Sequence, residues 1–101
     1  MTATVRDNPT DSRFEILAED TVAGYAEYTL SAGAMTLTHT VVDDAFAGQG
    51  LAKQLAEGAL SEARERELDV IPKCSFMASY MKKNEQWIDL VPEDRRAELE
   101  L

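Results

Sequence analysis

One cysteine in this sequence stands where its thiol could react. Cys74 is next to Lys73 and precedes a helical pattern, and both a neighbouring cation and a helix N-terminus favour the thiolate form of cysteine. The alternative for a free cysteine is a small buried hydrophobe, so Cys74 is either a reactive thiol or a packing residue. With one cysteine and one histidine, the chain offers neither an internal disulfide nor zinc-ligand spacing. We therefore expect no metal.

Two further side chains are candidates for proton transfer. His39 is interpreted as a satisfied core histidine, with a general base as the alternative, because it alternates on one strand face with Met35, Leu37 and Val41. Tyr80 follows Phe76 by four residues on a predicted helix. Its phenol is therefore either a packing group or a general acid.

A turn with two glycines leads into an amphipathic helix, in the run Gly48-Gln49-Gly50-Leu51-Ala52-Lys53. Free backbone N–H groups and the positive end of the helix dipole suit a phosphate there. The dinucleotide fingerprint requires a third glycine and a preceding parallel strand, and the P-loop requires Gly-Lys-Ser/Thr; the run has neither. The glycines serve either an anion site or only the geometry of the turn.

The composition predicts one globular domain. The chain has 101 residues, 45% of them hydrophobic and 29% charged, with a formal charge of −9. That charge argues against nucleic acid as a partner and favours a cationic one. Since no signal-like or membrane-spanning stretch is present, we expect a cytoplasmic protein that does not bind membranes. We expect a monomeric domain over residues 1–92 and a charged tail, frayed or a short helix, over 93–101.

Alternating apolar residues predict an antiparallel meander of strands near 2–7, 12–18, 22–30 and 35–42. In the third strand, one face is expected to hold Val22, Gly24, Ala26, Tyr28 and Leu30. Helical spacing then begins at Leu51, with Leu55, Ala59 and Ala63 on one stripe and Glu62 paired to Arg66 outside. A short strand at 70–72 should lie parallel to 35–42, followed by a helix from 74 to 83. Residues 87–91 are expected to fold back over the core.

This order of elements, together with two motifs, resembles the very small members of the Gcn5-related N-acetyltransferase superfamily. The motifs are the Gly48-Gln49-Gly50-Leu51-Ala52 turn and the run Pro72-Lys73-Cys74-Ser75-Phe76, and the resemblance extends over about residues 22–91. It implies an α+β fold with a mixed sheet: an antiparallel meander, a glycine turn, a helix, a parallel strand and a helix.

The resemblance also implies acetyl-coenzyme A as co-substrate. In the superfamily this turn binds the pyrophosphate through backbone amides, here Gly48 to Lys53. Lys82 and Lys83 are either further phosphate contacts or solvated charges at a helix C-terminus. Backbone N–H groups near Val41 or Val42 would polarise the thioester carbonyl, and Cys74 would lie near the acetyl group. Ala47 stands where the superfamily usually has Arg or Gln, so the pyrophosphate must rest mainly on backbone amides. Val41 and Asn84 likewise replace an acidic residue and a histidine frequent in this subfamily.

The function implied is an N-acetyltransferase that acts on an amine acceptor, small or peptidic and cationic, by direct attack in a ternary complex. Cys74 would be either a nucleophile or a proton donor. The alternative is a non-catalytic acyl-coenzyme A binding or protein-interaction module with the same fold.

Overall fold

The computed structural model describes residues 3–46 and 50–97, which form a five-stranded sheet with helices packed against it. The strands are β1 (Ala3–Asn8), β2 (Arg13–Ala18), β3 (Thr21–Ser31), β4 (Ala34–Val42) and β5 (Asp69–Pro72). The α-helices are α1 (Leu51–Glu65), α2 (Ser75–Lys83) and α3 (Glu93–Arg96), with 3-10 segments at Asp44–Phe46 and Glu85–Leu90.

The strands lie in the order β1-β2-β3-β4-β5, and the predicted topology is confirmed. The first three neighbouring pairs are antiparallel, and β4 pairs with β5 in parallel. A parallel pair needs a crossover, which α1 provides. The parallel register runs from Ala34 opposite Asp69 to Leu37 opposite Pro72.

The core lies between the sheet and one stripe of α1. The predicted i, i+4 spacing is confirmed, since the buried residues of the helix are Leu51, Leu55, Ala56, Ala59, Leu60 and Ala63. Small alanines let the helix approach the sheet closely, while the leucines fill the space between strands. Beside α1 the core is closed by Met77 and Met81 of α2 and, as expected, by Trp87, Leu90 and Val91.

A β-bulge in β4 corrects the predicted face of His39. Glu27 pairs with His39 and Tyr28 pairs with Leu37, so Thr38 is an extra residue without a partner. One extra residue reverses the side-chain alternation of every later position. Met35 and Leu37 are buried as predicted, but the His39 side chain is 72% exposed, with Nδ1 3.6 Å from Oε1 of Glu27. The interpretation of His39 as a core histidine is therefore wrong, and Val41 is exposed for the same reason.

A second bulge corrects the predicted face of β3. Ile16 pairs with Gly24 and Leu17 pairs with Val22, which leaves Ala23 as the extra residue and turns it into the core. Gly24, Ala26 and Tyr28 are buried as predicted. Val22 is exposed because it lies beyond the bulge, and Leu30, at the hairpin end of the strand, is 50% exposed.

Arg64 attaches the segment after α2 to α1. Its guanidinium donates to both carboxylate oxygens of Asp89, at 3.0 and 2.9 Å, and to the Gln86 carbonyl at 2.7 Å. The same group lies 5.1 Å from the ring centroid of Trp87. These interactions of one exposed side chain with three residues contribute modestly to stability, but together they fix where the indole of Trp87 lies.

The C-terminal part described by the structure includes α3, so the expected tail is partly helical. Arg96 donates from Nε to the Val91 carbonyl at 2.9 Å, which connects this helix to the core. Residues 98–101 of the tail lie outside the described residues, as do Met1 and the first residue of the predicted first strand, Thr2. In the described ranges, no helix has the length and apolar character needed to cross a bilayer.

Gly58 allows α1 to pack on β1, and replacing it with alanine should destabilise the protein. A Cβ at this position would lie 2.8 Å from Cβ and Cγ1 of Val5, closer than van der Waals contact permits. We expect Gly58→Ala to lower the free energy of unfolding by about 1–3 kcal/mol, the usual cost of overpacking. Urea denaturation would measure the change.

Two controls test this interpretation. Ser61→Ala, on the exposed side of the same helix, should change stability by less than about 0.5 kcal/mol. In a Val5→Gly background, which removes Cβ as well as both methyl groups, Gly58→Ala should become neutral or stabilise by up to about 1 kcal/mol, since alanine is the better helix former. A Gly58→Ala protein as stable as the wild type would contradict the proposed contact.

Candidate functional site

The site lies where β4 and β5 separate. Their parallel pairing ends at Leu37 opposite Pro72, and the next backbone contact is the N–H of Cys74 donating to the Leu37 carbonyl at 2.9 Å. The chain then turns into α2, with Cys74 as its N-cap residue in an extended conformation. The predicted position of Cys74 at the start of a helix is confirmed, and β4 continues beyond this point without β5 beside it.

The thiol of Cys74 is half-buried and lies against β4. Its Sγ is 3.4 Å from Oγ1 of Thr40, with which it forms a hydrogen bond. Burial alone would raise the pKa of the Cys74 thiol, but hydrogen bonds with the Thr40 hydroxyl and from the backbone N–H groups of Met77 and Phe76 outweigh it. The pKa is lowered overall, so the site favours a thiolate.

The N-terminus of α1 is open to an anion. Gly50 precedes the helix with φ 71° and ψ 17°, a left-handed conformation that suits glycine. Among the described residues no side chain caps the first turn of α1, and that turn itself contains no acidic residue. The N–H groups at the start of the helix and the helix dipole are therefore available to a negatively charged group. Ala47, Gly48 and Gln49, named above as part of the turn, lie outside the described residues.

A groove of about 420 Å³ connects the two helices. The residues that line it are Lys53, Phe76, Ser79, Tyr80, Lys83 and Asn84. Neither lysine forms an ion pair with a carboxylate in residues 3–46 and 50–97. The groove thus combines two cations, an aromatic wall and three polar groups, which suits an anionic ligand with an extended, partly apolar body.

Tyr80 is the titratable group best placed for proton donation in this groove. Its ring stacks on Phe76 with centroids 6.4 Å apart, and the side chain is buried. Burial raises the pKa of the Tyr80 phenol, and the charge of Glu57 raises it further. The buried indole N–H of Trp87 has no hydrogen-bond partner among the described residues, yet it lies close enough to the phenol to oppose part of this rise in pKa. The phenol stays protonated at neutral pH.

His39 is not brought together with these groups. The bulge at Thr38 places its side chain beside Glu27, on the opposite face of β4 from Thr40 and Cys74. Val42 is half-buried against the core, whereas Val41 is exposed on the face of His39.

Two residues of the site were not singled out from the sequence. Thr40 follows His39 directly, but only the bulge turns it toward Cys74. Ser79 lies three residues after Phe76, a helical spacing that places both on one side of α2. That spacing could have identified Ser79, whereas nothing in the sequence marks the bulge.

In residues 3–46 and 50–97, no group of three or more histidine, cysteine, aspartate or glutamate side chains is arranged to hold a metal ion.

Comparison with known proteins identifies a family. The model of the GCN5-related N-acetyl-transferase family matches residues 13–90, which is most of the chain. Among curated proteins, Protein NATD1 of Xenopus tropicalis and of Homo sapiens are each 42% identical over 48 residues, or 48% of this chain. The match spans 44% and 42% of those proteins, so it covers less than half of their length.

Solved structures share the fold. A GCN5-like protein of Staphylococcus aureus, solved by NMR in solution, superposes with a TM-score of 0.68 at 25% identity, over 88% of this chain and 87% of that one. Ard1 of Thermoplasma volcanium gives a TM-score of 0.57 at 16% identity, over 67% of this chain and 68% of its own. A ribosomal-protein-alanine N-acetyltransferase of Escherichia coli gives 0.61 at 18% identity, over 71% of this chain and 50% of its own. The last two similarities concern the fold alone.

Proposed function

The chain belongs to the GCN5-related N-acetyltransferase family, and on that premise we propose that it transfers an acetyl group from acetyl-coenzyme A to an amine. The observation that carries the proposal is the groove between α1 and α2. It is lined by Lys53, in the first turn of α1, and by residues of α2 and its C-cap, and the charged groups among these described lining residues are Lys53 and Lys83.

The donor groups present fit the anionic part of acetyl-coenzyme A. Backbone N–H groups from Gly50 to Lys53 would bind the pyrophosphate, and the Lys53 and Lys83 ammonium groups would contact the phosphates. Gly48 and Gln49 belong to the same proposed turn. A backbone N–H near Val41 or Val42, on the part of β4 that β5 leaves, would donate to the thioester carbonyl, since N–H groups of successive strand residues point to opposite sides. Acetyl-coenzyme A supplies the acetyl group as an activated thioester.

Two side chains of the protein, Tyr80 and Cys74, would each carry out one of the two proton transfers that the reaction needs. The amine nitrogen forms the new bond to the carbonyl carbon while the C–S bond breaks, so the nitrogen must lose a proton and the departing thiolate must gain one. Tyr80, held protonated, donates the proton to sulfur. Cys74, with its lowered thiol pKa, is better suited to accept the proton from nitrogen than to act as the acid. We place Cys74 near the thioester in a direct transfer without a covalent enzyme intermediate.

The acceptor we propose is a cationic amine, either a small molecule or a peptide side chain. The formal charge of −9 favours encounter with cations over nucleic acid or an anionic surface. His39 lies on the face of β4 away from Cys74. We therefore propose Cys74, and not His39, as the general base.

One observation favours the second candidate, a non-catalytic acyl-coenzyme A binding module. No carboxylate and no imidazole is among the residues that line the groove. A module of this kind needs only the phosphate contacts, whereas a transferase also needs Tyr80 and Cys74 to move protons.

Binding of acetyl-coenzyme A should depend on Lys53 more than on a matched lysine outside the groove. We expect Lys53→Ala to weaken binding by about twofold to fivefold, since an exposed charge contact contributes up to about 1 kcal/mol and 1.4 kcal/mol is a factor of ten. Isothermal titration with acetyl-coenzyme A would measure this. Lys82→Ala makes the same change of charge on α2, but Lys82 does not line the groove. Equal weakening by both substitutions would contradict the proposed site, and no binding at all would overturn the proposal.

Acetyl transfer should require the hydroxyl of Tyr80. Tyr80→Phe keeps the ring packing on Phe76 but removes the acid, so kcat should fall at least about tenfold, because general acids typically contribute 10²–10⁴. The KM for acetyl-coenzyme A should stay within about twofold. Release of the coenzyme A thiol in the presence of spermidine, putrescine or a lysine peptide gives the rate.

Tyr25→Phe is the matched control, since Tyr25 stacks beneath Arg13 and does not line the groove. Its kcat should be that of the wild type. Wild-type protein that binds acetyl-coenzyme A but releases no thiol with any of these amines would instead favour the non-catalytic module.

Direct attack also predicts the mass of the protein after exposure to acetyl-coenzyme A. Without an acceptor, the intact mass should show no added acetyl group, since Cys74 only accepts a proton. Electrospray mass spectrometry on rapidly acidified samples would detect a thioester, and Cys74→Ala provides the reference spectrum. An acetyl group present on the wild type and absent from Cys74→Ala would contradict direct transfer and assign Cys74 as a nucleophile.

A further inference from the structure

We propose that Thr40 is a positioning residue, whose hydroxyl holds the Cys74 thiol in the gap between β4 and α2. This inference rests on the proposed function, because it assigns Thr40 a part in that same site. Its basis is the 3.4 Å contact between Oγ1 of Thr40 and Sγ of Cys74.

The bulge at Thr38 is what makes the contact possible. With unbroken alternation, His39 would face the core with Leu37, and Thr40 would point to the opposite face. Instead, Thr40 pairs with Ala26, a residue buried at 0% exposure, and shares its inward face. An irregular strand therefore brings a hydroxyl, and not an imidazole, to the thiol.

The Thr40 hydroxyl is not needed to hold the backbone of Cys74. The N–H of Cys74 is already paired with the Leu37 carbonyl at 2.9 Å, and its carbonyl accepts the N–H of Ala78 at 3.0 Å. Both backbone groups are thus satisfied without Thr40. What remains free is rotation about the Cα–Cβ bond of the cysteine, and a hydroxyl fixed on a β-branched side chain restricts that rotation.

The chemistry of a threonine suits this position. A hydroxyl accepts a hydrogen bond from a thiol and donates one to a thiolate, so it serves both protonation states. Donation to the thiolate lowers the thiol pKa, and the hydrogen bond with Thr40 is the largest of the contributions that lower the pKa of Cys74. Without the Thr40 hydroxyl, the burial of Cys74 would raise the pKa of its thiol.

The test is the pH dependence of Cys74 alkylation by iodoacetamide in the full-length protein, followed by mass spectrometry. Iodoacetamide reacts with the thiolate, and Cys74 is the only cysteine, so the midpoint reports its pKa directly. Thr40→Val keeps the shape of the side chain and removes the hydroxyl; we expect the midpoint to move to higher pH and the rate near neutral pH to fall several-fold. Thr40→Ser keeps a hydroxyl and should retain the wild-type midpoint.

Thr36→Val, on the same strand, is the matched control and should leave the profile unchanged. A merely structural role would alter the melting temperature of Thr40→Val but not the midpoint, and such a result would overturn the proposal, as would a Thr40→Ser profile equal to that of Thr40→Val. If Thr40→Val does not fold, the alkylation midpoints of Thr40→Ser and Thr40→Ala are compared instead. A higher midpoint in Thr40→Ala alone would support the proposal, and equal midpoints would overturn it.

Acetyl transfer adds a second readout. Thr40→Val should lower kcat with little change in the KM for acetyl-coenzyme A, and Thr40→Ser should restore it; an unchanged kcat would overturn the positioning role. The alkylation profile needs no acetyl-coenzyme A. A protein that never transfers acetyl but shows the midpoint shift would disprove the proposed function while confirming the effect of Thr40 on the thiol.

Discussion

The hydrogen bond from the Cys74 N–H to the Leu37 carbonyl determines how the rest of the site is built. A buried carbonyl at the end of a paired strand needs a donor, and β5 provides none beyond Pro72. Cys74 provides it, and the chain leaves the sheet at that residue to begin α2. The gap beside β4, the position of the Cys74 backbone and the direction of α2 all follow from this one contact. The backbone at position 74 is therefore placed by strand pairing, whereas the direction of the thiol depends on its contact with Thr40.

An acidic protein can bind an anion where the charges close to the binding site are positive. The formal charge is −9, yet at physiological ionic strength charges are screened beyond about 8 Å, so what a bound phosphate experiences is its immediate surroundings. There the first turn of α1 carries no acidic residue, and Lys53 and Lys83 line the groove. The acidic remainder of the surface is then free to attract a cationic acceptor, so the two substrates of the proposed reaction would be recognised by charges of opposite sign.

Much of the fold could be predicted because its signals are periodic. The i, i+4 stripe of α1, the alternation in β2 and the short apolar run of β5 each specify an element, and one helix between two strands requires parallel pairing. The faces of His39 and Val41 could not be predicted, because the bulge at Thr38 inserts a single residue and no glycine or proline lies beside it. The bulge at Ala23 lies next to Gly24, and an isolated glycine inside a strand is a signal of a bulge, so the face of Val22 could have been predicted. Because the bulge at Thr38 could not be predicted, Thr40 could not be identified from the sequence as the partner of Cys74. The groove depends on how α1 and α2 pack, which no local pattern specifies.

The two ends of the proposed proton transfer are separated by the geometry of α2. Cys74 is its N-cap, where hydrogen bonds from the first turn favour a thiolate, whereas Tyr80 lies further along the helix, where burial favours the neutral phenol. Two groups whose pKa values are driven in opposite directions are suited to be base and acid of one reaction. Six residues of helix correspond to a rise of about 9 Å, so one short helix fixes the spacing between them. In the proposed reaction, one short helix would therefore supply both the acid and the base.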